Sequence, residues 1–370
     1  MASAIRDSFA GRMGVRIRVA REAKKLTQEQ LREQIGFKDR QTLTAIEAGQ
    51  RKVSAEELTR FMSALERDLD FFTDPFRLEG EGRFSFRVKG AKEGELEAFE
   101  STAGQWVAFW REQGRNQKVE SSPLRPQLTL TERSTFEEAQ CAGESLAKLW
   151  NLGDVPATRL IPTIEDKLSF LVLLVDMPIG ISGAACQIAG ADTILVNRKD
   201  SEGRRNFDLA HELFHVLTWD ALPPERVDRQ NPSGHKAKRI EQLADNFAGA
   251  LLMPRDILTP LWEARKGKGL DKKEWHVAVA AKLHVTTWAL GVRMKTLGFI
   301  TDDEILKRDE EHLETPVPAP FSRKFMERAG LALERADVSV MRLVKLLGTT
   351  GRGGLRELFK SHGLPAPMGV

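Results

Sequence analysis

The sequence predicts an α+β chain, mostly helical, with helical units at both ends and a small β-sheet near the middle. Three observations carry that expectation. Apolar residues recur at helical spacing, as in Leu96, Phe99, Ala103, Trp106 and Trp110. Short runs of strand-forming residues fall between Phe170 and Val196. Capping residues and glycine stops divide the first 75 residues into short helices. At 370 residues the chain exceeds one ordinary core. The predicted division is a four- to five-helix unit at 1–75, a linker and connecting helix at 76–135, a central α+β unit at 136–300, and a charged linker with a small helical C-terminal domain at 301–370.

In the first unit, Val15, Val19 and Ala23 keep one apolar face. Thr27 and Gln30 form a capping-box pair that opens a second helix, and Gly36 ends it. A third helix runs from Asp39 as cap to Gly49 as stop, and Ser54 with Glu57 opens a fourth. Gly80 to Gly94 is charged and glycine-dotted and reads as linker, although Phe84 and Phe86 stand at strand spacing. A helix from Phe136 to Trp150 precedes strands at Phe170 to Val175, Ile181 to Ile188 and Thr193 to Val196. The segment FDLAHELFHVLTW follows as a helix, then a loop from Leu222 to Lys238, then a helix from Arg239 to Met253 stopped by Pro254. Glu274 to Gly298 reads as two helices joined near Thr286, and Phe321 to Gly363 as a helical tail.

Charge is nearly balanced overall, at +3, but Met1 to Lys52 carries 12 Lys/Arg against 6 Asp/Glu. Such local asymmetry points to a polyanionic partner. Cys141 and Cys186 match neither a disulfide framework nor a cysteine metal spacing, which fits a reducing compartment, and the cytoplasm is the expected location. The N-terminal stretch lacks the apolar core of a secretory signal, and Asp176 and Pro178 end the greasiest run far short of a membrane span.

A short helix, a turn at Gly36 and a second helix give the geometry that lays the later helix in a DNA major groove. Gly14 to Phe72, with LTQEQL, IG and IEAGQRKVS, resembles the XRE-type helix-turn-helix of phage repressors. That resemblance implies that Arg40, Gln41 and Thr42 face base edges, with Gln28, Thr44, Arg51 and Lys52 on phosphate. Arginine suits guanine and glutamine suits adenine, through paired hydrogen bonds. Double-stranded DNA is thus the expected partner, and a dimer on a two-part site is what tight binding would require.

His211 and His215 lie four apart, so both imidazoles share one helix face at a spacing suited to tetrahedral zinc. Glu212, rotated toward the open coordination position, can take a proton from water there and hand it to a leaving amine, which is the chemistry of H-E-x-x-H. Ala210, Leu213, Phe214 and Leu217 would bury the other sides. RIEQLADNFAGALLMP supplies Glu241 as the third ligand, with Asp245 on the same face to accept a hydrogen bond from a ligand histidine. Imidazole and carboxylate donors also accept manganese.

NFDLAHELFHVLTW and ExxADNFAGALLMP resemble the active-site helix and the following ligand block of the ImmA/IrrE metallopeptidases, over about Pro162 to Ile300. What the resemblance implies is a gluzincin-like core, three protein ligands plus water, and cleavage of a transcriptional repressor under stress or mobile-element induction. The chain has no tyrosine. His235 is therefore the candidate oxyanion donor, with Arg204 or Arg205 behind it. Thr193 to Val196 is the strand expected to align an extended substrate. The alternative reading is a non-proteolytic transcription factor or antitoxin-like regulator with a structural or vestigial metal site.

Overall fold

The computed structural model describes residues 8–88, 90–117, 127–188, 191–229, 235–266, 271–306 and 316–370. Its first unit comprises α1 (Phe9–Ala23), α2 (Gln28–Ile35), α3 (Arg40–Glu47), α4 (Ala55–Leu65) and α5 (Leu69–Thr73). Ser8, Thr27, Asp39, Ser54 and Asp68 each accept a backbone N–H at the first turn, and both expected capping boxes are formed. Gly36 takes φ 79°, the left-handed stop that releases the chain from α2 into the turn. Ile17, Leu31, Leu43, Ile46 and Phe61 fill the core between these helices. Gly14 lets α1 cross α3 at backbone distance, since a Cβ there would lie 2.1 Å from the Ile46 carbonyl oxygen.

Five strands form one sheet in the order β2-β4-β3-β1-β5: β1 (Arg83–Val88), β2 (Leu171–Val175), β3 (Ile181–Gln187), β4 (Thr193–Asn197) and β5 (Val227–Arg229). The β2/β4 and β1/β5 pairs are parallel, and β3 runs antiparallel to both β4 and β1. Alternation along the strands gives each face its own core. On one face Val172, Ala185, Ile194 and Val196 pack with the helices α7 (Phe136–Leu149), α8 (Pro156–Lys167), α9 (Glu202–Thr218), α10 (His235–Leu252), α11 (Arg255–Lys266), α12 (Lys272–Leu283) and α13 (Thr287–Thr296). On the other, Phe86, Leu171, Leu173 and Leu195 pack with α6 (Glu93–Asn116) and the C-terminal α14 (Arg323–Glu334), α15 (Val340–Leu347) and α16 (Gly351–Ser361).

The structure departs from the sequence reading in five places. The segment read as linker holds β1, which the phenylalanine spacing had signalled, and the expected C-terminal domain shares its core with α6 and the sheet. Helix α8 went unread because Pro156 and Pro162 interrupt its pattern; Pro156 is tolerated at the first turn, where no intrahelical N–H bond is needed. The loop at Leu222 to Lys238 contains β5 and the start of α10. Strand addition at Thr193 to Val196 is closed off, because β4 is paired along both edges, to β2 and to β3.

The most extensive helix–helix contact joins α7 to α10. A Cβ at Gly143 would meet the Phe247 carbonyl oxygen at 2.5 Å and the Leu251 amide nitrogen at 2.9 Å, both backbone atoms that cannot step aside. Gly143→Ala should therefore cost about 1–3 kcal/mol of stability by overpacking. Denaturant midpoints would show it, and an unchanged midpoint would contradict so close an approach.

Candidate metal centre

Helix α9 is nearly enclosed from Asp208 to Thr218, with Leu209, Ala210, Leu213, Phe214 and Leu217 in the core as the sequence implied. Its buried polar side chains include Asp208, His211, Glu212 and His215, besides Arg205 and Thr218 at its two ends. Helix α10 packs against it through Ile240, Ala244, Phe247 and Leu251, which turns Glu241 and Asp245 toward the same place. Two helices thus bring the expected donors together.

The Nε2 atoms of His211 and His215 lie 3.1 Å apart. Glu241 reaches them with Oε2 at 3.1 Å from His211 and Oε1 at 3.2 Å from His215. Ligand atoms about 2.0–2.1 Å from a tetrahedral ion would sit about 3.3–3.4 Å from one another, so this spacing matches the need of zinc. Among the described residues this is the group of His, Cys, Asp and Glu side chains that could hold a metal ion. Asp245 Oδ1 accepts from His211 Nδ1 at 2.9 Å, which leaves the Nε2 lone pair facing the centre. His215 Nδ1 is buried with no partner.

Glu212 is 2% exposed. Its carboxylate rests on β3 at Gly183, where a Cβ would stand 3.0 Å from Glu212 Oε1, so glycine keeps that room open. Burial raises its pKa, against the pull of His215, His211 and Arg87. Burial and Arg87 push the His211 imidazolium down, but Glu241 and Asp245 outweigh them and carry it up to about 10. Burial raises Glu241 and Asp245, yet the facing histidines hold both below the ordinary carboxylate range. Without an ion, the centre draws in a proton instead.

The reading of the sequence missed two neighbours. Arg87 on β1 donates to Asp208 at 2.7 Å and to Asp245 at 3.3 Å, and Asp208 also accepts from Arg204 at 2.8 Å. Neither arginine proposed behind the oxyanion is free for it: Arg204 is held by Asp208, and Arg205 donates to the carbonyls of Arg198 and Asp200. His235 opens α10, and its side chain lies outside the described residues. The alternation Arg83, Ser85, Arg87 against Phe84, Phe86, Val88 was the signal that could have placed Arg87 on the face toward α9.

In the N-terminal unit, Arg40, Gln41, Thr44 and Lys52 are exposed, as a DNA-facing role requires. Thr42 is half-buried, its hydroxyl turned to Asp39. Gln28 spans the turn: it accepts from Arg40 at 3.2 Å and donates to the buried Glu47 at 2.8 Å. Arg51 is held by Glu57 through two bonds of 3.1 and 2.7 Å, so a phosphate would have to displace that carboxylate.

Residues 172–295 match the family model described as the IrrE N-terminal-like domain, of the M78 peptidases, and residues 17–72 match the one described as helix-turn-helix. Comparison with curated proteins and with solved structures found no match. Among the described residues no helix is long and apolar enough to cross a membrane.

The raised His211 pKa has a testable sign. A base whose folded pKa is raised contributes stability below its unfolded value near 6.5 that is lost as pH rises through about 10. Chelator-treated protein should therefore lose stability steadily from pH 7 to pH 10, measured as melting temperature. A flat profile over that range would argue against the proton-for-metal exchange.

Proposed function

Because the chain joins a helix-turn-helix DNA-binding domain to an IrrE-like domain of a metallopeptidase family, we propose that it is a DNA-associated zinc endopeptidase that cleaves a partner repressor in a stress or mobile-element response. The observation that carries this reading is the convergence of three donors beside a separate, buried carboxylate. A structural metal site has no use for that fourth group.

His211, His215 and Glu241 would hold the ion, and manganese fits the same donors less tightly than zinc. When bound, the ion supplies Lewis acidity, polarising the scissile carbonyl and lowering the pKa of a nearby water. Glu212 accepts the proton as water attacks the carbonyl carbon, then delivers it to the departing amide nitrogen. Its buried setting against Gly183 holds the carboxylate in place and makes it a stronger base than an exposed one. Asp245 fixes the His211 tautomer. His235, at the start of α10, is the side chain assigned to donate to the oxyanion.

In the DNA-binding domain, α3 is the helix for the major groove, with Arg40, Gln41 and Thr42 toward base edges and Gln28, Thr44, Arg51 and Lys52 toward phosphate. A homodimer would place two such helices on a two-part site. Work in the cytoplasm, where DNA and repressor are both at hand, fits both domains.

Two experiments bear on the two halves. Incubation of the zinc-loaded protein with repressors encoded beside its gene should give cleavage, and Glu212→Gln should lower kcat/KM by about 10²–10⁴ with metal still bound. Cleavage that persists in the variant would remove Glu212 as the base. For the first half, Arg40→Ala and Gln41→Ala should each reduce discrimination between cognate and random DNA by about 1–3 kcal/mol. Unchanged discrimination at moderate salt would contradict base reading by α3.

A further inference from the structure

Arg87 lies outside both segments matched by the family models, yet it reaches the metal centre. Its guanidinium joins two helices: Nη1 donates to Asp208 on α9 and Nη2 to Asp245 on α10. These same helices carry the three converging donors. Asp208 precedes His211 by three positions and Asp245 follows Glu241 by four, so each carboxylate stands one turn from a donor on its own helix.

The electrostatics explain why a cation is needed there. Asp208, Asp245, Glu212 and Glu241 all act on Arg87, which is buried. Without a positive charge among them, the carboxylates of α9 and α10 would repel, most strongly at the buried Asp208 and Glu212 and less at Asp245, which faces solvent. Nε of Arg87 is buried without a partner. The side chain thus leaves one donor unused to span both carboxylates with the other two, a reach that a lysine ammonium cannot reproduce. Arg87 also pairs across the strands with Gly183, the residue on which the Glu212 carboxylate rests.

We infer that Arg87 is a positioning residue of the metal centre, supplied by β1, which holds the carboxylates of α9 and α10 in register so that the donor triad is assembled before the ion arrives. This rests on the metal-centre reading above, and its test separates the two. A buried ion pair that served stability alone would leave coordination unchanged once the protein is folded.

The full chain would be titrated with zinc against a chelating dye, and its cobalt-substituted form examined by visible absorption. Arg87→Gln should weaken zinc binding about 10- to 100-fold and shift the cobalt bands, with partial recovery in Arg87→Lys. Arg111→Gln, which breaks a buried pair with Glu81 away from the centre, should leave zinc affinity unchanged. If Arg87→Gln does not fold, Asp208→Asn removes one anchor of the guanidinium while keeping all three donors, and should weaken zinc binding in the same direction. Equal affinity and an unshifted spectrum in Arg87→Gln, equal affinity in Asp208→Asn, or an equal loss in Arg111→Gln would each overturn the inference and leave the metal centre standing. A wild-type chain that takes up neither zinc nor cobalt would overturn both.

Discussion

Three donor side chains from two helices, each with an atom within 3.2 Å of each of the other two, converge in the interior, with Glu241 meeting the two imidazoles through different oxygens. Nothing in that arrangement is comfortable without a positive charge at its centre: two ring nitrogens face each other, and a carboxylate faces both. Much of the central unit serves this meeting. Apolar residues enclose α9 on its remaining sides, and α10 is pressed against it by α7, whose Gly143 allows backbone contact. The sheet contributes Gly183 beneath Glu212 and Arg87 beside it.

The same packing divides the four acidic groups by role. Glu241 faces two imidazoles that hold its carboxyl below the ordinary range, the state that metal coordination would require. Asp208 is tied to Arg87, and Asp245 to both Arg87 and His211, so each carboxylate is held in one orientation. Burial carries the Glu212 carboxyl upward, the environment that would suit a group required to take and return a proton.

The DNA-binding domain is tied to the α6 and C-terminal helices on the far face of the sheet by charge as well as by chain connection. Arg16 of α1, almost fully buried, stands 3.5 Å from Glu81, which also pairs with Arg111 of α6, and Arg12 meets Glu112 at 2.7 Å. Asp74 at the end of α5 pairs with Arg342 of the C-terminal helices. Glu81 lies two residues before β1, and the far end of β1 carries Arg87. One strand therefore has a neighbour of the DNA-binding domain at its start and a neighbour of the metal centre at its end.

What could be read from the sequence followed the range of the forces involved. Caps, the Gly36 stop and the His211/His215 spacing are local, and they were legible; so was Glu241, whose helix announces one apolar and one acidic face. Arg87 was not, because its partners Asp208 and Asp245 lie 121 and 158 positions away and only strand pairing brings them together. The pairing of β4 on both edges was equally hidden, since a short aliphatic run looks the same at the edge of a sheet and within it. The most direct test of the account is X-ray absorption at the metal edge of protein purified without added metal. It should show about one ion per chain, bound by two imidazole nitrogens and carboxylate or water oxygens at about 2.0–2.2 Å; an ion bound elsewhere, or imidazole scattering that survives replacement of His211 and His215, would contradict it.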